Sequence, residues 1–76
     1  MKIAPGCYFD VKDCGYVRVD DVCAMPAEVI VKRLHGGLMK MAFGAFYTVA
    51  RPMPLELGAL LFALREQAAI LMGDHA

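Results

Sequence analysis

Hydrophobic and polar residues alternate strictly near the start of the chain. Cys7, Phe9 and Val11 interleave with Tyr8, Asp10 and Lys12, the two-residue period of a half-buried strand. Asp13-Cys14-Gly15 then reads as a three-residue loop, with Gly15 free to take the left-handed conformation of a bulged hairpin turn. The alternation resumes in Tyr16-Val17-Arg18-Val19 and sets Val17 and Val19 opposite Phe9 and Val11. An N-terminal β-hairpin is the expectation, those four side chains forming its core face.

Pro26–His35 carries signals of two kinds. Pro26 suits a first helical position, Glu28 the first turn, Lys32, Arg33 and His35 the last turn, and Gly36 a C-terminal cap. Against these stand the β-branched run Val29-Ile30-Val31 and the turn-like His35-Gly36-Gly37. Helix is the favoured reading, strand the alternative. Over Leu38–Ala50, Met39, Met41 and Phe43 alternate with Leu38, Lys40 and Ala42. Gly44 disfavours a helix interior and Phe46-Tyr47-Thr48-Val49 favours extended backbone, so strand is expected there.

The clearest element is a C-terminal helix opened by Pro54, with Glu56 in its first turn and Gly73 beyond its last apolar residue. Leu57, Leu60, Leu61, Leu64, Ala68 and Leu71 share one stripe, which is expected to face the core. Leu55, Ala59, Phe62, Ala69 and Ile70 project to the opposite side. A helix apolar on both sides lies between two packed layers, and the second layer is expected to be another copy of the chain. Homodimerisation through Leu55, Ala59, Phe62, Ala69 and Ile70 follows, unless Leu38–Ala50 folds over that face.

The elements add up to a single α+β domain over residues 1–76. A small antiparallel β-sheet, starting with the N-terminal hairpin, packs against a long C-terminal helix, with a short middle helix. Hydrophobic residues make up 59% of the 76 positions, more than so small an interior can hide, so apolar surface is left over for a partner. The longest uncharged apolar run, Met41–Ala50, falls short of the ~20 residues of a membrane span. The opening residues lack the apolar stretch of a secretory signal, and three unpaired cysteines suit a reducing cytoplasm.

Eight basic and eight acidic residues cancel, which argues against a dedicated nucleic-acid binder. The charges are nevertheless segregated. Between Glu28 and Glu56 stand Lys32, Arg33, His35, Lys40 and Arg51 with no acid among them, a basic segment suited to an acidic protein surface.

Catalytic and metal chemistry find little support. Cys7, Cys14, Cys23, His35 and His75 lack the paired spacing of a zinc site, so no metal or cofactor is expected. Asp13 disfavours a Cys14 thiolate, and Asp20-Asp21 point to opposite sides of an extended chain. The expected function is therefore non-enzymatic protein binding. The concrete form is a phage- or mobile-element-encoded inhibitor of a host defence or regulatory machine, anti-CRISPR-like in occupying a partner surface. The alternative is a small transcriptional or RNA-associated regulator, gripping phosphate with the basic segment and stacking bases on Phe46 and Tyr47.

Overall fold

A computed structural model describes residues 1–72. Its elements are β1 (Tyr8–Val11), β2 (Gly15–Ala24), β3 (Ala27–Arg33), β4 (Leu38–Ala42), α1 (Phe43–Val49), β5 (Ala50–Pro52) and α2 (Leu55–Leu71). The strands form one antiparallel sheet in the order β4-β3-β2-β1-β5, which with the two helices makes an α+β domain.

The N-terminal hairpin forms in the expected phase. Phe9 pairs with Val17 and Val11 with Gly15, so the turn spans Lys12–Cys14, one residue earlier than the sequence suggests. Asp13 and Gly15 both take positive φ, 69° and 83°. These suit the short polar side chain of the one and the missing Cβ of the other. Further along, Val19 pairs with Val31 and Asp21 with Ile30, leaving Asp20 as the extra residue of a β-bulge. The bulge moves the core face from Val17 and Val19 to Val22, opposite Val29. It also accounts for two consecutive aspartates in a strand.

Residues Pro26–His35 are not helical. Met25 and Pro26 form the two-residue turn between Ala24 and Ala27, joined by a cis peptide bond, and Ala27–Arg33 is a strand. Two-residue alternation wins because it buries Val29 and Val31 completely on one face, while Ile30 and Lys32 take the other. Glu28 reaches across to Lys40 on β4 at 3.9 Å.

Leu38–Ala50 is strand as far as Ala42 and again at Ala50, where β5 begins; α1 lies between. Its β-favouring residues are overridden by burial, since propensity is a weak prior beside tertiary packing. Phe43, Phe46 and Val49 share the side turned to the sheet, and Thr48 donates from Oγ1 to the Gly44 carbonyl at 2.9 Å. Phe46, fully buried, closes the cluster of Phe9, Val11, Val17, Val19, Val29 and Val31, with its ring edge-on to Phe9 at 5.1 Å. The short helix thus lies at 43–49 rather than 26–35.

The long helix begins after Pro54 as expected but is rotated relative to the expectation. Most of the stripe assigned to the core faces outward: Leu57, Leu60, Leu64 and Leu71 are 46%, 55%, 56% and 82% exposed, while Leu61 and Ala68 are half-buried. Gly58 is the helix's buried residue. The apolar sheet face is already filled by α1, so α2 lies on the other face, against Tyr8. Only glycine lets the helix backbone come that close, because a Cβ at position 58 would sit 2.5 Å from Tyr8 Cβ and Cδ2. Gly73 and His75 lie outside the described residues.

Candidate functional site

Antiparallel register builds the floor of a groove. Tyr8 pairs with Arg18 and Arg18 with Lys32, so the three side chains stand in one row on the α2 side of the sheet. One helical turn beyond Gly58, Phe62 packs on Tyr8 at 5.3 Å between ring centres. The Arg18 guanidinium lies 5.6 Å from the centre of the Phe62 ring, within cation–π range. Past this contact the helix and sheet diverge. The opening has a volume of about 560 Å³ and is bordered by Arg18, Lys32, Leu34, His35, Gly36, Phe62, Arg65, Glu66 and Ala69.

Arg18 and Lys32 are held in place. Arg18 donates from Nε to Asp20 at 2.7 Å. That hydrogen bond raises the guanidinium pKa above its ordinary value, while partial burial works in the opposite direction. Lys32 donates from Nζ to the carbonyls of Arg33 (2.8 Å) and Gly36, which ties the β3–β4 loop and leaves one N–H for a ligand. Arg65 and His35 complete the basic rim from the helix and from the loop. Glu66 and Asp20 balance part of this charge, so the groove is a patterned surface rather than a uniformly positive one.

The basic segment of the sequence is divided by the fold. Lys32 and His35 meet in the groove, and Lys40 faces the same side of the sheet beside Glu28. Arg33 pairs with Val17 and so lies on the α1 side, its Nε donating to Gly37. Arg51 pairs with Asp10 on the far edge of the sheet, where a second cleft of about 440 Å³ also involves Lys12, Thr48 and Val49. A continuous phosphate track through Lys32, Arg33, Lys40 and Arg51 therefore does not form. Phe46 is buried and offers no stacking face, whereas Tyr47 is exposed.

Arg18 and Arg65 are the groove residues that the basic segment leaves out. Their signal is faint but present: Arg18 sits between two core valines, and Arg65 lies seven residues after Gly58. Of the residues expected at a dimer seam, Phe62 and Ala69 are turned towards the chain's own sheet, and Leu55, Ala59 and Ile70 are exposed.

Among the described residues no three His, Cys, Asp or Glu side chains gather as a metal site, and no helix is long and apolar enough to cross a membrane. No protein-family model matches the chain, and neither does any curated protein or solved structure.

Proposed function

We propose that the protein is a non-catalytic binding module that occupies an acidic protein surface with the groove between α2 and the sheet, and that it works as a homodimer. The observation that carries this reading is the convergence of Arg18, Lys32, His35 and Arg65 on one groove, with Arg18 over the Phe62 ring. Cations fixed beforehand by Asp20 and by loop carbonyls lose little freedom on binding, and an aromatic floor adds contact area. Charge arranged in this way speeds encounter with an acidic partner and sets its orientation. Blocking a larger machine by covering part of it requires no more than such a surface. The inhibitor reading, with phage-encoded anti-CRISPR proteins as its instance, rests on that.

The test uses two anionic probes, poly-L-glutamate and single-stranded DNA, titrated at low and at moderate salt. Poly-L-glutamate is expected to bind with an affinity that falls as salt rises. The double variant Lys32→Gln, Arg65→Glu should weaken it by on the order of tenfold or more. Preference for DNA, with a steeper salt dependence, would favour the nucleic-acid regulator instead. Binding of neither probe at low salt would defeat the groove reading.

A further inference from the structure

We infer that the outward stripe of α2 seats a second copy of this chain, with Leu57, Leu60, Leu64 and Leu71 at the contact. The inference rests on the proposal of a homodimer and assigns the surface that makes it. Three observations carry it.

The first is spacing. Leu57, Leu64 and Leu71 recur every seven residues, with Leu60 and Gln67 at the intermediate positions. That is the repeat of two helices packing along one another, and α2 is about 25 Å long, enough for more than two repeats. On the same repeat, Phe62 and Ala69 fall on the side furthest from a partner helix, and these are the residues turned onto the sheet. One helix thus meets its own sheet with one side and leaves the complementary side open.

The second is charge. Arg65 and Glu66 border the groove, so among the described residues of α2 Glu56, at the helix start, is the charged residue left to flank the stripe. An uncharged, leucine-rich stripe is complementary to itself under two-fold symmetry, whereas a charged one would repel its copy.

The third is area. Leu57, Leu60, Leu64 and Leu71 are between 46% and 82% exposed. Pairing them, with Leu61, Gln67 and Ala68 beside them, removes on the order of 600 Å² per protomer, against roughly 800 Å² per partner in specific interfaces. Such a contact suits a dimer of micromolar stability. Segment Leu38–Ala50, which could have covered α2 from within the chain, is occupied elsewhere: β4 pairs with β3, and α1 packs on both.

Sedimentation equilibrium from 1 to 200 μM, on wild type and on Leu64→Glu and Leu38→Glu, tests the assignment (concentrations chosen to bracket the expected affinity, on the order of micromolar). Wild type is expected to dimerise within this range. Leu64→Glu should weaken dimerisation by at least roughly 100-fold, because each chain would bury a carboxylate at the centre of the contact. Circular dichroism should show it folded, since residue 64 is largely exposed in the single chain. Leu38→Glu, exposed on edge strand β4, should remain dimeric. A monomeric wild type overturns the homodimer itself. A dimer that survives Leu64→Glu, or one lost with Leu38→Glu, leaves the homodimer standing and overturns this surface.

Discussion

Phe46→Ala is expected to cost about 3–5 kcal/mol of folding stability, among the largest effects of single truncations in the described residues. The ring is fully buried and is the element by which α1 closes the apolar face of the sheet over Phe9 and the valines of β1, β2 and β3. Its removal leaves a cavity that a seven-residue helix cannot fill by settling, because α1 is tied at both ends to strands. A chain of 76 residues has roughly 4–11 kcal/mol in total. The loss is therefore about a third or more of the stability expected for such a chain. Denaturant titration is the check, with Tyr47→Ala as its contrast. Tyr47 is the next residue and 54% exposed, so its truncation should shift stability by no more than about 0.5 kcal/mol. Equal midpoints for the two variants would show that α1 does not close the core.

Gly58→Ala is expected to destabilise by about 1–3 kcal/mol, although replacing glycine within a helix usually helps. Helix propensity alone favours alanine by about 1 kcal/mol. Here the new Cβ would fall on the Tyr8 ring, at 2.5 Å from Cβ and Cδ2, so either the ring or the whole helix must move. Moving the helix separates Phe62 from Tyr8 and Arg18 and opens the groove, so probe binding should fall along with stability. Gly44→Ala gives the opposite sign. A Cβ there meets nothing within 4 Å, and the change should stabilise α1 by up to about 1 kcal/mol. If both substitutions stabilise, α2 does not rest on Tyr8.

These two residues also mark where the sequence stops being readable. The β1–β2 hairpin was legible because Phe9, Val11, Val17 and Val19 alternate without interruption, and the start of α2 because Pro54 announces it. Strand β3 was not, because Pro26 and Gly36 serve as helix boundaries and as hairpin turns equally well. Only the pairing of Val29 with Val22 and Met41 decides between them. Helix α1 goes against the local preference of Phe46-Tyr47-Thr48-Val49 and exists because an open sheet face needs a lid. For α2 the element was plain but its rotation was not, since both of its sides are apolar. Gly58 was the one sign of close approach, and its weight depends on Tyr8, fifty residues earlier in the chain.

The candidate site was readable to a similar extent. Lys32 and His35 stand in the basic segment and in the groove. Arg33 and Arg51 belong to the same segment but leave it, because neighbouring residues in a strand point to opposite faces and β5 joins the far edge. Arg18 and Arg65 enter the groove from β2 and α2, positions that no local pattern connects.

The most direct test of the binding account is an amide and side-chain NMR titration of the intact protein with poly-L-glutamate at low salt. The largest shift changes are expected to cluster at Arg18, Lys32, His35 and Arg65, with ring-proton changes at Phe62 and little change at Asp10, Lys12 and Arg51. Changes centred on that second cleft, or spread evenly over all basic residues, would contradict it.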